Sequence, residues 1–257
     1  MKSEREKRTV IVTGGSSGLG FAIAEQFLAQ GDKVVLNGHT ESKLQHAAEQ
    51  LGQNDRVAIA AGNMTQSPTA EAIVNTAVEE FGRVDVLVNN AGAFEAKPFT
   101  DYTVDELDNF LGYLRGTFIL SQAAVRQMHR QGDGGSIINI STILAFNGVS
   151  GITSSAPIAA KGGITALTKN LSVELASENI RINAVAPGIV PTGLYGELSE
   201  KDLNGLQKMQ PLGRYGTPTD VADAVLYLAN ANWSPAWCCR SMAGSMPAAT
   251  ASFTPEK

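Results

Sequence analysis

The chain has 257 residues, 43% of them apolar, enough for one α/β domain with a core of ordinary size, and a single domain is the better expectation than two. A formal charge of −5 and a pI near 5.3 leave no broad cationic surface, so nucleic acid is not an expected partner. Met1 to Arg8 is a short charged lead without an apolar core, no later stretch approaches the roughly 18 uncharged apolar residues of a membrane span, and the two cysteines, adjacent at Cys238 and Cys239, have no metal-ligand spacing; the expectation is a cytoplasmic protein with no membrane partner and no metal.

Thr9 to Thr13 is a β-branched apolar run, glycines follow, and Leu19 to Gln30 repeats apolar residues at helical spacing, which predicts strand, tight loop and helix. The alternation continues with a strand at Lys33 to Asn37, a helix at Glu41 to Leu51, a strand at Val57 to Ala61, a helix at Thr69 to Phe81 and a strand at Asp85 to Val88. Past Val104 a long helix reaches about Gln131. Ser136 to Ile140 is then a strand, Ile158 to Ser177 a helix and Ile180 to Val185 a strand. Strands that are apolar on both faces and separated by helices imply a doubly wound parallel sheet in three α/β/α layers. Glu197 to Met209 reads as a short amphipathic insertion after the sixth strand, where such folds cover a ligand.

Thr13-Gly14-Gly15-Ser16-Ser17-Gly18-Leu19-Gly20 lies between the first strand and the first helix, where backbone amides and a helix N-terminus can face a pyrophosphate. By itself such a loop is as readily a glycine-rich turn without a ligand. Here Asn89-Asn90-Ala91-Gly92 follows the fourth strand and Asn183-Ala184-Val185-Ala186-Pro187-Gly188 leads out of the sixth, placing three loops at carboxyl ends of parallel strands.

The loop T-G-x-x-x-G-x-G, N-N-A-G, the segment Gly134-Gly135-Ser136-Ile137-Ile138-Asn139-Ile140-Ser141-Thr142 and N-A-V-A-P-G-x-V-x-T resemble, in order and spacing, the short-chain dehydrogenase/reductase family, over residues 8 to about 232. The resemblance implies a Rossmann-like NAD(P)-binding domain over residues 9–232, after a lead at 1–8 and before an atypical tail at 233–257. It implies cofactor contacts from Gly14, Ser16, Ser17, Gly18, Leu19, Gly20, Gly38, His39, Asn63, Met64, Asn90, Ala91, Gly92, Lys161, Pro187, Gly188, Ile189 and Thr192, with Thr192 at the carboxamide. Asn63 stands where the family usually has an Asp, and its amide can still accept a hydrogen bond. The second strand ends Asn37-Gly38-His39-Thr40, without the carboxylate that pairs with the 2′-hydroxyl of NAD. NADP(H) is therefore expected over NAD(H), modestly, since no arginine is there either; His39 is a phosphate partner or a solvated loop residue.

The family's hydride chemistry uses a Tyr whose pKa is lowered by a Lys four residues later, a Ser on the substrate oxygen and an Asn on the central helix. Matching those motifs, Lys161 is in place, Thr142 fills the Ser position, Tyr113 the Asn position and Pro157 the Tyr position. Proline carries no ionisable group but is comfortable in a first helical turn. Thr142, Lys161 and Tyr113 are the candidate catalytic residues, and three readings stand: Tyr113 supplies the proton from across the pocket; the chain binds the dinucleotide as a sensor or inactive partner subunit; or the site is degenerate. A tyrosine on a helix is more often packing.

Beyond Ala229 the family's T-G-x-x-L-x-V-D-G-G strand is expected, yet Ser234-Pro235-Ala236-Trp237-Cys238-Cys239-Arg240-Ser241-Met242 shows no apolar alternation. Back-translated and read one frame over, Ser234 to Pro247 yields T-G-V-V-L-P-V-D-G-G-F-N-A, and the single codons of Trp237, Met242 and Met246 fit without adjustment. A frameshift near residue 233 would account for this, making the seventh strand doubtful, the tail poorly packed and the cysteine pair accidental. By resemblance the expected partners are a small carbonyl or alcohol substrate and further copies of the chain, a dimer or tetramer built on the long helices. Substrate choice falls to Ala93–Phe99, Leu144–Ile152 and Tyr195–Met209, where Phe94, Phe99, Phe146 and Leu194 suggest an apolar pocket.

Overall fold

The structure is a computed structural model that describes residues 7–52, 55–149, 151–193, 207, 210 and 212–231, with the backbone of 238–240. The strands are β1 (Thr9–Thr13), β2 (Lys33–Gly38), β3 (Val57–Ala61), β4 (Val86–Asn89), β5 (Gly135–Ile140), β6 (Ile180–Ala186) and β7 (Cys238–Arg240). They form one sheet in the order β3-β2-β1-β4-β5-β6-β7, all pairings parallel. The helices are α1 (Gly18–Ala29), α2 (Glu41–Leu51), α3 (Ser67–Phe81), α4 (Val104–Gln131), α5 (Ser155–Glu174) and α6 (Pro218–Asn230). The order reverses between β1 and β4, and there the crevice at the carboxyl edge opens.

Both sheet faces are covered because successive strand residues point to opposite sides. Val10 and Val12 join a core with Phe27 of α1, Leu44 of α2 and Val225 of α6. Ile11 turns the other way, into a core with Ile73 of α3 and Leu120 and Met128 of α4. Between β4, β5, α4 and α5 a buried amide chain replaces apolar packing: Asn89 Nδ2 donates to Asn139 Oδ1 (2.8 Å) and Ser121 Oγ (3.0 Å), and Asn139 Nδ2 to Thr168 Oγ1 (2.8 Å). Such a chain fixes how the two long helices sit over the strand ends.

The start of α5, the helix after Thr217 and the sheet's outer edge go beyond the sequence expectation. α5 starts at Ser155, so Pro157 lies inside its first turn rather than just ahead of the helix. α6 had no sequence assignment beyond a resemblance; Thr217 and Asp220 form a reciprocal capping box at its start, with Pro218 in the first turn. At the sheet's edge Ala184, Val185 and Ala186 pair with Cys238, Cys239 and Arg240. A seventh strand thus exists where none was secure, because parallel pairing uses only main-chain groups and the outer edge of β6 offers them to any extended segment. The predicted insertion at Glu197–Met209, with Leu194 and Tyr195, falls outside the described residues except at Gln207.

Candidate active site

The glycine loop is held by close backbone approach. Gly14 has φ +64°, and a Cβ at Gly20 would stand 2.1 Å from the Gly14 carbonyl oxygen, so only glycine lets α1 start beside the end of β1. Ser17 is the N-cap of α1 but makes no side-chain cap, so Gly18, Leu19 and Gly20 keep first-turn amides aimed at the crevice. These donors, at the positive end of a helix, suit a pyrophosphate, and the absence of a side chain at Gly14, where a Cβ would come within 3.0 Å of Asn90 Nδ2 and 3.2 Å of Ala91 Cα, lets the asparagine loop close against the glycine loop. The residues present therefore fit a dinucleotide.

The second loop is fastened to the first by a side chain the sequence reading passed over. Thr13 Oγ1 accepts from the amides of both Asn90 and Ala91 (3.0 Å each), while Asn90 Nδ2 donates to the Thr13 carbonyl (2.9 Å). Thr13 had counted as the last residue of an apolar strand and the first of the glycine motif, with no role for its side chain; a buried hydroxyl at a strand's carboxyl end was the available signal. The third loop closes the ring: the Thr192 side chain lies against Gly18, where a Cβ would meet it at 3.6 Å, and Ile143 N donates to the Pro187 carbonyl at 3.2 Å. Gly188 and Ile189 are half-buried beside it.

At the end of β2, Asn37 is buried and donates to the carbonyls of Ala60 (2.8 Å) and Gly62 (3.2 Å). It ties β2 to β3 and leaves the exposed His39 as the polar side chain beyond Gly38; Ser16 Oγ lies 3.7 Å from where a Gly38 Cβ would stand. Asn63 Oδ1 accepts from Thr65 N at 3.0 Å, a local turn that uses the acceptor expected to meet adenine. Met64 is buried against Gly116 of α4, whose missing Cβ allows the approach.

The catalytic candidates share the β5–α5–α4 side of the crevice. Lys161 Nζ donates to the Ile140 carbonyl at the end of β5 (2.6 Å) and sits beside Gly92, where a Cβ would come within 3.1 Å of it. Burial pushes this amine down to about 8. Thr142 caps the short 3-10 turn Ile143–Ala145, accepting from Leu144 N at 3.3 Å. Pro157, one turn ahead of Lys161, is buried. Tyr113 is half-buried one turn past Phe110, which packs on Ala156 and Ala160 of α5. Burial pushes the Tyr113 phenol up, and no lysine holds it down. A phenol raised in this way is a weaker acid than the relocated role demands.

Ser154, the N-cap of α5, is 2% exposed and its Oγ has no partner among the described residues. An N-cap hydroxyl accepts from the amide two or three residues on, and the third is Pro157, which has none. Ahead of it the loop after β4 is strapped down: Lys97 N donates to the Thr153 carbonyl (2.6 Å), and Lys97 Nζ is paired with Glu106 (2.6 Å), whose carboxyl is held at about 2 chiefly by that lysine. Phe94 and Phe99 of this loop are exposed, Phe99 at 79%, while Phe146 lies half-buried beneath the Lys169 ammonium; the first two do not form a closed apolar pocket.

A parallel sheet with a glycine loop, an asparagine loop and a proline–glycine loop meeting at its switch point defines a dinucleotide-binding α/β protein. Residues 8–203 match the short chain dehydrogenase family, and the chain belongs to that family. It is 37% identical over 229 residues to a 3alpha-hydroxysteroid dehydrogenase of Mediterraneibacter gnavus, covering 88% of this chain and 90% of that protein. It is 36% identical over 234 residues to an L-rhamnose 1-dehydrogenase (NAD(P)(+)) of Sphingomonas, again 88% and 90% covered. A crystal structure of a short chain dehydrogenase from Bacillus anthracis superposes with a TM-score of 0.79 at 32% identity, covering 87% of this chain and 89% of that one. By family the chain is an NAD(P)-dependent oxidoreductase acting on CH–OH and C=O groups.

Proposed function

We propose that the chain binds NADP(H) in preference to NAD(H) through the glycine loop, Asn90–Gly92 and Pro187–Thr192, and that its reduction of a small carbonyl compound is limited by proton delivery. Bound cofactor supplies the hydride. The protein must supply a proton to the substrate oxygen, and Thr142 can orient that oxygen through its hydroxyl. The observation that carries the reading is Pro157 one helical turn ahead of Lys161, where the family places its acid. The lack of a carboxylate after β2, with Asn37 committed to β3, supports NADP(H). Titration with NADPH and NADH by nicotinamide fluorescence, followed by the Pro157→Tyr variant, tests both parts. Tighter NADPH binding with turnover gained on restoring the phenol is expected; NADH preference or an inert Pro157→Tyr protein would overturn the respective part. Turnover by the wild type that Tyr113→Phe abolishes would favour the relocated acid instead. Binding without turnover in the wild type is the behaviour of a sensor or inactive partner subunit.

The same reading places the protein in the cytoplasm as a homo-oligomer built on α4 and α5. It is supported by exposed Phe118 (49%) and Val173 (80%) on those helices, and among the described residues no helix is long and apolar enough to cross a membrane. Sedimentation of the purified chain gives the assembly state. The 233–257 tail is proposed to arise from a frameshift; an uninterrupted natural reading frame through this tail would sink that proposal.

A further inference from the structure

Asparagine precedes glycine at Asn37-Gly38, Asn147-Gly148 and Asn204-Gly205. The last pair lies outside the described residues, and the fold sets the other two apart. Asn37 and Gly38 end β2, paired with Ala60 and Ala61 of β3. Asn37 is 1% exposed, and its side-chain amide donates to the Ala60 and Gly62 carbonyls. Asn147 and Gly148 are exposed, in the bend that follows the 3-10 turn Ile143–Ala145. The Asn147 main-chain amide donates to the Ile143 carbonyl at 3.3 Å. Among the described residues neither the Asn147 side chain nor the Gly148 amide makes a hydrogen bond, and a Cβ at Gly148 would meet nothing within 4 Å.

We infer that Asn147 is a modification site, closing on Gly148 to a succinimide in the folded protein and opening to aspartate and isoaspartate, while Asn37 is shielded from the same reaction. The Gly148 nitrogen, deprotonated by solvent, attacks the side-chain carbonyl carbon of Asn147. The N–Cγ bond forms, the Cγ–Nδ2 bond breaks and ammonia leaves. Water then opens the ring, at Cγ to give aspartate or at the main-chain carbonyl to give isoaspartate, and no oxidant or reductant is consumed. Ring closure needs an unhindered nitrogen on a backbone free to turn toward its neighbour's Cγ, which glycine in an exposed bend supplies. At Asn37 the same step requires β2 to part from β3 and both side-chain hydrogen bonds to break, so it waits on local opening of the sheet. Either product places a carboxylate in the loop that runs from Thr142 to the start of α5, one unit beyond the chain's formal charge of −5. Isoaspartate also lengthens the main chain of that loop by one methylene. None of this depends on the cofactor reading.

The test is incubation of the full chain in mildly alkaline buffer, beside the same chain unfolded in guanidinium chloride, with each asparagine followed by peptide mass spectrometry and isoaspartate by enzymatic methylation. Near-ultraviolet circular dichroism reports that the first sample stays folded. Asn147 in the folded chain is expected to convert within about fivefold of its rate in the unfolded chain, and at least about a hundredfold faster than folded Asn37. Gly148→Ala adds a Cβ where there is room for it, at a backbone position outside the left-handed region, so it should slow Asn147 by about tenfold and leave the melting temperature unchanged. Asn147 that survives in the folded chain while it converts in the unfolded one would overturn the inference, as would equal rates at Asn37 and Asn147 in folded protein. Conversion to aspartate alone, unslowed by Gly148→Ala, would mean direct hydrolysis and would overturn the ring closure.

Discussion

The two sides of the crevice are made of different material. On the β1–β2–β4 side the candidate cofactor cradle is backbone: a left-handed glycine, open first-turn amides on α1 and a loop pinned by Thr13. On the β5–α5–α4 side the chemistry depends on individual side-chain ends, and in the function proposed above Thr142, Tyr113 and Pro157 take the places of the family's Ser, Asn and Tyr. A backbone cradle is defended by packing, because changing it disturbs the fold; a catalytic phenol can be exchanged for a buried proline while the helix persists. On the proposed function, binding and catalysis are then separable, and that is what the following variants test.

The largest expected effect breaks that contrast on its weak side. Restoring an acid beside Lys161 with Pro157→Tyr is expected to raise carbonyl reduction by about a hundredfold or more, the range general acids contribute, with NADPH affinity changed less than about threefold. Stopped-flow NADPH oxidation and fluorescence titration read the two quantities independently; a change in affinity that matches the change in rate would show the two sides are coupled. On the strong side, Gly20→Ala forces a Cβ into the Gly14 carbonyl and is expected to weaken NADPH binding at least about hundredfold and to lower the melting temperature, by about 3 kcal/mol of strain and lost packing.

Periodicity made the first side legible. β1 to β6 and the glycine loop followed from apolar runs and punctuation, because a doubly wound fold repeats one local rule. The roles of Thr13 and Asn37 depend on partners that lie far along the chain, Ala91 and Gly62, and no local pattern carries that information. α5 begins earlier than the sequence suggested because Pro157 reads as a helix boundary although proline is tolerated throughout the first turn. The main-chain pairing of β7 needs no side-chain signal, which is why alternation missed it.

A third test turns on charge. The Lys161 amine titrates lower in the folded protein than in the unfolded chain, so folding opposes its protonation. The cost is fully present below about pH 8, falls as pH rises toward the unfolded value near 10.4, and vanishes above it. Lys161→Met should therefore raise the melting temperature at neutral pH, by at most about 3 kcal/mol of stability, with the gain disappearing by about pH 11. A gain independent of pH would mean that the methionine merely packs better.

The smallest effect isolates what Pro157 did to the helix rather than to the chemistry. The Ser154 hydroxyl accepts no hydrogen bond among the described residues, and of the two amides an N-cap can take the third-residue one is missing at Pro157, so Ser154→Ala should cost almost nothing in the wild type. In a Pro157→Ala background the amide returns, the cap can form, and the same Ser154→Ala change should cost about 1 kcal/mol. The difference between the two costs, taken from urea unfolding of all four proteins, cancels the effects proline has on the unfolded chain. A coupling near 1 kcal/mol would mean that Pro157 deprives the α5 cap of its third-residue amide, at the position where the proposed function also lacks its acid. A coupling of zero would mean that the Ser154 hydroxyl is oriented by its loop, through the Lys97–Thr153 strap, and that the start of α5 never relied on it.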